Sequence, residues 1–584
     1  MHDKANNSPW ITVVGLALLV ILGGFLRLHN LDRKSITHVE MYVPGIHLPH
    51  GISVPEERLT LFKVVTSTLN SDTHPPAYYA LMWFWTKCFG TSAWSVRLPS
   101  ALLGIACIPL VFWLGAITGQ TTAGWIAAFL FAINGHQVFW SQIARMFTLA
   151  CFLGLLATIL LLLIARENHA SRLLKFLYVV TLLLGLSTHV FFWLILAAHI
   201  LWTLLNAPVH KPALPAATRL QFLTLILGSP LLAFSAYQTG NTLASLSSNA
   251  LIYAREFLQF SFAFPLDGYS SGVYLDQSRI FLIDDPHISI VRWLFVLLSL
   301  FLFVVGMFLV GKFVKSDTTL LDDSVGPSSH AWWLAALLGT IVIGLFIAVA
   351  RSFGSPRSAS IVRDTELMIA LPSLLAILGF VVQKSWPRIT ACLHIDFLTG
   401  DRALIWMLAV APFVALSLIS LFKPIFNARG MLLLSPYLVL VLAAGIAYFD
   451  RQHFVVVILL AVIGAAHFAG FREYSRMSAG RADYKAFVAV LSPRVETEDV
   501  VFLNPEFYST PLMFYMNSGW DRIVGRNFDA VSHDKRNARI WALWFYNYEP
   551  ELPKSMEEAL SSYHPVQTVE APGGQATLYV RDNF

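Results

Sequence analysis

Residues Trp140–Arg166 read WSQIARMFTLACFLGLLATILLLLIAR. Between Arg145 and Arg166 the run holds no charged residue, and its twenty positions at about 1.5 Å each span roughly the 30 Å of a bilayer's hydrocarbon core. The same character extends through the chain. Of 584 residues, 56% are hydrophobic and only 13% charged, with a mean hydropathy of +0.63. Globular chains carry about 25% charged residues, so a soluble multidomain protein is excluded and a polytopic α-helical membrane protein is expected. A net charge of +5 without a Lys/Arg block gives no footprint for nucleic acid. The four cysteines, Cys88, Cys107, Cys151 and Cys392, lie in or beside apolar stretches without CxxC spacing, which fits small buried hydrophobes better than a metal or redox motif.

Outward from this run, spans are expected at 10–28, 94–116, 122–140, 145–166, 172–188, 189–206, 217–237, 290–314, 330–350, 366–383, 402–422, 429–449 and 453–471, about 13 transmembrane helices in all. The first lacks a small-residue cleavage site and reads as an uncleaved helix. Residues 76–90, PAYYALMWFWTKCF followed by glycine, are too short to cross and suit an interfacial helix. With a cytoplasmic N-terminus, the short inside loops hold eleven Lys or Arg residues against six outside, the expected bias. The first helix alone disagrees, because Arg27, Arg33 and Lys34 follow it. Residues 1–471 then form the membrane domain, with a long first outside loop at 29–93. Residues 472–584 form a small α/β domain on the periplasmic side, with helical stretches near 483–491 and 511–516 and strands at 500–503, 540–546 and 576–580.

Candidate chemistry gathers on the outer rim. The first loop carries Glu40 and the run Asp72-Thr73-His74-Pro75-Pro76, and a connection this long favours a functional loop. Glu40 reads first as a solvated loop carboxylate, and Asp72 as a helix cap or turn former. Arg145 either snorkels to the interface or clamps a phosphate with its rigid fork of donors. The same alternatives hold for Arg429 and for Lys423 before it. His189 opens a span at this rim, as a satisfied interfacial residue or a ligand. Trp520, Trp541, Trp544 and Tyr546 serve either as a packed core or as sugar-stacking faces. No ligand cluster suggests a metal, and no ATP-binding loop is present.

In chain order these segments resemble the bacterial glycosyltransferases of the GT-C class, the group of protein O-mannosyltransferases and the lipid A aminoarabinose transferase. The resemblance rests on Phe25-Leu26-Arg27-Leu28 leading to an acidic loop, DTHPPAYYALMWFW, FGTSAWSVRLPSALLG, FWSQIARMF, THVFFW at His189, ARGMLLLSPYLVLVLAAG from Ala428, and DYKAFVAVL. It covers nearly the whole chain. It implies inverting transfer of a hexosyl or pentosyl unit from a polyprenyl-phosphate-linked donor to a glycan, lipid or protein hydroxyl, at the periplasmic face of the inner membrane. No cofactor is expected, although some relatives bind a metal. The family places an Asp-Glu pair in the first loop, with the Asp as favoured base; here Val39-Glu40 stands in its place. The base is then Glu40 or Asp72, or transfer activity is lost and the chain is a lipid-binding or transporter-like protein. His74, Arg145, His189, Lys423 and Arg429 remain for donor binding.

Overall fold

A computed structural model describes residues 9–46, 60–71, 74–167, 169–206, 214–242, 400–420, 430–449, 451–476, 483–496, 498–503, 509–515, 523–524, 539–545, 554–571 and 574–581. The helices are α1 (Pro9–Leu28), α2 (Leu61–Ser71), α3 (Ala77–Phe89), α4 (Ala93–Ile117), α5 (Thr121–Ile133), α6 (Gly135–Ser141), α7 (Phe147–Arg166), α8 (Arg172–Leu186), α9 (Phe192–Asn206), α10 (Leu214–Thr242), α11 (Asp401–Ser420), α12 (Ser435–Ala447) and α13 (His453–Arg476). Among the described residues, four helical segments are long and apolar enough to cross a membrane: Trp10–Leu28, Ala93–Ile117, Phe147–Arg166 and Gly430–Ala447. Shorter apolar helices occur at Thr121–Ile133, Phe192–Asn206, Ala216–Leu232 and His453–Ala465. The expected spans at 290–314, 330–350 and 366–383 lie outside the described residues.

One expected span is divided. The run 122–140 breaks at Asn134, whose side chain accepts from the Gln137 amide and caps α6 as a separate short helix. An Asn-Gly step is apolar in no sense and offers both a cap and a flexible turn. The break separates α6 and the loop to Phe147 from α5, and α6 packs against α1, α4, α5 and α7.

Burial separates centre from rim. Some 89% of Gly430–Ala447 is buried, against 22% of α1, and α1 leaves Trp10, Val13, Leu18 and Ile21 exposed, an apolar face suited to lipid. The enclosed helices share polar groups. Thr158 of α7 meets the Tyr437 hydroxyl at 2.8 Å and His199 Nε2 at 3.1 Å. The Tyr178 hydroxyl meets His199 Nδ1 at 3.1 Å, and Gln221 donates to Tyr178 and Thr203. These side chains thereby find partners across helices, which fixes their register. Arg27 is wholly buried and donates to the carbonyls of Ala132 at 2.7 Å and Phe131 at 3.1 Å. It satisfies orphan carbonyls at the end of α5, so this charge does structural work.

Close helix contact needs small residues at one crossing. A Cβ on Gly115 would stand 2.4 Å from Gly124 Cα. Gly115→Val must therefore push α4 from α5, and we expect a loss of about 1–3 kcal/mol or more, read as a lower unfolding midpoint in detergent; an unchanged midpoint would contradict the packing.

The C-terminal part adds α14 (Tyr484–Leu491), β1 (Val500–Leu503), α15 (Ser509–Tyr515), β2 (Ile523–Val524), β3 (Arg539–Phe545), α16 (Lys554–Ala559), β4 (Tyr563–Ala571) and β5 (Gly574–Arg581). The sheet order is β2-β1-β3-β5-β4, with β1 parallel to β2 and β3, and β5 antiparallel to β3 and β4. Alternation buries both faces: Val501, Trp541, Leu543 and Leu578 pack with α14 and α15, while Phe502, Ile540 and Ala542 pack with Met556 and Leu560. The expected strands and helices are present; β2, β4 and α16 had no sequence signal strong enough to separate them from loops. Trp541 is fully buried and its indole donates to Asp499 at 3.0 Å, and Trp544 is buried too, so both are core residues and present no ring face to a sugar. Trp520 and Tyr546 lie outside the described residues.

Candidate active site

The loop after α1 turns at Asn30, whose φ of 54° is left-handed, a conformation Asn tolerates better than most residues. It then runs to a 3-10 turn at His38–Tyr42. Arg97, in the second turn of α4, organises it. Nε and Nη2 donate to the two Glu40 carboxylate oxygens at 2.8 Å each. Nη1 donates to the carbonyls of Leu31 and Lys34 at 2.9 Å, and Nη2 to that of Ser35 at 3.0 Å. All five donors of the guanidinium are used.

Glu40 is likewise saturated. It accepts from the Ala144 amide at 2.9 Å, the Thr37 amide at 2.8 Å and the Thr37 hydroxyl at 3.1 Å, besides Arg97. Its side chain has no exposed surface. Burial by itself raises a carboxyl's pKa, but the Arg97 charge and the bonds from Arg97, Ala144 and Thr37 outweigh it and hold Glu40 below its ordinary value. The reading of a solvated carboxylate therefore needs correction. Glu40 is not a solvated carboxylate, and a side chain with every lone pair engaged and no opening to solvent is poorly suited to take a proton from a substrate.

The Glu40 bond to Ala144 fixes the turn between α6 and α7, and with it Arg145. Arg145 is 7% exposed and donates from Nη1 to the Val39 carbonyl at 3.2 Å and the Tyr79 hydroxyl at 3.0 Å. It packs inward from the rim and does not snorkel. Nearby, the Ala77 amide donates to the Ser187 carbonyl at 2.8 Å, clipping the start of α3 to the turn between α8 and α9. That clip brings His74 onto His189, their rings stacked at 5.4 Å. Phe147 packs against both, at 6.4 Å and 5.6 Å. His189 Nδ1 accepts from the Phe191 amide at 3.1 Å, so its neutral ring carries the proton on Nε2. Gly430 approaches so closely that a Cβ there would stand 2.6 Å from the Phe191 ring and 3.2 Å from His189 Cε1.

The structure thus brings His74 and His189 together against Phe147, and holds Arg145, two residues before Phe147, on Val39 and Tyr79. Asp72, Lys423 and Arg429 lie outside the described residues. Among the described residues no group of three His, Cys, Asp or Glu side chains is placed to hold a metal. Sequence reasoning gave Arg97 no role. The signal was present, since an ionisable residue inside an apolar span is costly unless partnered and marks a site by default.

No family model matches the chain. The curated Bacillus subtilis (strain 168) protein "Putative mannosyltransferase YkcB" is 32% identical over 155 residues, which is 26% of this chain and 21% of that protein; the match spans about a fifth of the relative's length. Among solved structures, the archaeal oligosaccharyltransferase AglB from Archaeoglobus fulgidus, in complex with an inhibitory peptide and a dolichol-phosphate, is 12% identical with a TM-score of 0.49. It covers 99% of this chain and 75% of its own. ArnT from Cupriavidus metallidurans, bound to undecaprenyl phosphate, is 12% identical with a TM-score of 0.35 and covers 98% of both chains. The chain resembles GT-C class glycosyltransferases.

Proposed function

We propose that this chain is a glycosyltransferase of the inner membrane that moves a sugar from a polyprenyl-phosphate-linked donor to a hydroxyl of a glycan, lipid or protein at the periplasmic face, with the N-terminus cytoplasmic and the C-terminal α/β part periplasmic. The observation that supports the reading is the stack of His74 on His189 with Phe147 packed against both, two residues along the chain from the buried Arg145, which is anchored on Val39 and Tyr79. An acceptor hydroxyl attacks the anomeric carbon as the bond to the phosphate oxygen breaks, inverting the centre. Charge grows on the departing phosphate, and a guanidinium already anchored through Nη1 stabilises it without reorganising. The Nε2 proton of His189 serves as a further donor. Lys423 and Arg429 are assigned to the same phosphate. A polyprenyl tail requires an apolar flank, which the bundle supplies. The reading uses no metal or cofactor.

With Glu40 committed to Arg97, the base is assigned to Asp72, two residues before His74. Asp72→Asn is expected to lower transfer by about 10²–10⁴-fold while leaving the unfolding midpoint unchanged, in membranes supplied with a labelled lipid-linked sugar. Transfer at the wild-type rate would remove Asp72 from the mechanism. Val39 at the usual Asp position and the saturation of Glu40 favour one second reading, a lipid-phosphate-binding protein without transfer activity. Donor binding by the wild type with no turnover of any lipid-linked sugar would select it.

A further inference from the structure

The segment from Ser35 to Glu40 is gripped from two sides. From α4, Arg97 donates to the Ser35 carbonyl at 3.0 Å and to both Glu40 oxygens. From the other side come residues 448 to 479 positions later in the chain. The Ser35 hydroxyl donates to Asp483 Oδ1 at 2.7 Å and accepts from the Lys485 amide at 3.0 Å. The Ile36 amide donates to the Tyr515 hydroxyl at 2.7 Å. Ile36 is wholly buried and Ser35 nearly so, so a bond lost here leaves a group that water does not reach. The partners are fixed in turn. Asp483 caps α14 by accepting from the Ala486 amide, and Tyr515 ends α15, which packs on the His38–Tyr42 turn.

The same segment sets Arg145. The Thr37 amide and hydroxyl donate to Glu40, whose own amide donates to the Thr37 carbonyl at 2.9 Å, so residues 37–40 form a closed turn. The turn presents the Val39 carbonyl to Arg145 Nη1 at 3.2 Å and the Glu40 carboxylate to the Ala144 amide at 2.9 Å. A further contact points the same way. The Tyr474 hydroxyl of α13, which leads into the C-terminal part, donates to Gln142 Oε1 at 3.0 Å, three residues before Arg145. A shift at Ser35 or Ile36 is therefore carried to both Val39 and Ala144, the two points that aim the Arg145 fork.

From this geometry we infer that Tyr515 and Asp483 of the C-terminal part are positioning residues for Arg145, acting through the Ser35–Glu40 segment. The inference rests on the proposed role of Arg145 toward the polyprenyl phosphate. A guanidinium serves a developing phosphate charge only when it is held in place beforehand, and a group supported by a second layer of bonds loses function when that layer loosens, before the fold does. The C-terminal part thereby has a task in the reaction itself, as the outer half of the grip whose inner half is Arg97.

The test uses the full chain in an uncharged detergent, with undecaprenyl phosphate as the ligand and undecaprenol as the control for its tail. Tyr515→Phe keeps the ring and removes the oxygen that accepts from Ile36. Ser35→Ala removes the hydroxyl that meets Asp483 and leaves the α14 cap intact. Each is expected to weaken half-saturation by undecaprenyl phosphate at least about fivefold, and to leave that by undecaprenol within about twofold of the wild type. In an Arg145→Ala background neither should add more than about twofold, because both act through Arg145. Amide exchange at residues 36–40 and 144–146, read without ligand, should be about tenfold faster in both variants. Wild-type half-saturation or unchanged exchange in both variants, while Arg145→Ala binds weakly, would overturn the inference alone. Equal weakening in the two backgrounds would show a merely structural role and overturn it as well. No binding by the wild type, or wild-type binding by Arg145→Ala, would overturn the phosphate assignment and the inference with it.

Discussion

Replacing Arg97 by methionine is expected to destabilise the protein by about 3–5 kcal/mol, because it strands the Glu40 carboxylate in a site with no solvent. The methionine fills the space of the stem but supplies none of the five donors, so the carbonyls of Leu31, Lys34 and Ser35 lose partners as well. Unfolding midpoints in detergent measure it. The double variant with Glu40→Leu removes the stranded charge and should recover part of the loss. Additive losses in the double variant would mean that the pair is not the unit described here. The pH dependence has a definite sign. The folded Glu40 carboxyl lies below its unfolded value of 4.5, so its contribution is complete above that value and disappears as pH falls through the folded value. Midpoints near neutrality should therefore be flat with respect to this group.

Arg145→Ala is the second large effect, a fall of about 10²–10³-fold in transfer, the scale for removing one preorganised donor from a developing oxyanion. Arg145 makes two side-chain bonds in addition to its backbone contact with Ser100, so the same variant is expected to shift stability far less than Arg97→Met. Arg145→Lys should not restore activity, since a single ammonium cannot hold Val39 and Tyr79 and still present a fork to phosphate. Turnover of a labelled lipid-linked sugar separates the cases. Wild-type turnover by Arg145→Ala would eliminate the phosphate-clamp assignment.

The sequence displayed its architecture where periodicity or length is unambiguous. Twenty uncharged residues before Arg166 leave no alternative to a long apolar helix, and the short run VVFL at Val500–Leu503 stands out in a tail otherwise rich in charge. Local polar chemistry was harder to see. The break at Asn134 hides inside an apolar run, because its meaning depends on a cap to Gln137 and on the turn that follows. Glu40 looked like a loop carboxylate because its partner, Arg97, lies 57 positions away. Nothing in a linear reading joins them. His74 and His189 were singled out separately, and only the clip from Ala77 to Ser187 brings their rings together. Of the positive charges at the end of α1 and just after it, Arg27 is engaged by carbonyls of α5 and Arg33 by a carbonyl of α13.

The central claim is that the site turns over a polyprenyl-phosphate-linked sugar. Mass spectrometry of lipid-linked sugars and surface glycans, in cells with and without the gene, tests it most directly. Deletion should accumulate one polyprenyl-phosphate sugar and remove one glycan residue, with both changes reversed by the wild-type chain and by neither Arg145→Ala nor Asp72→Asn. Unchanged lipid-linked sugars and glycans in the deletion, or full reversal by Arg145→Ala, would contradict the account.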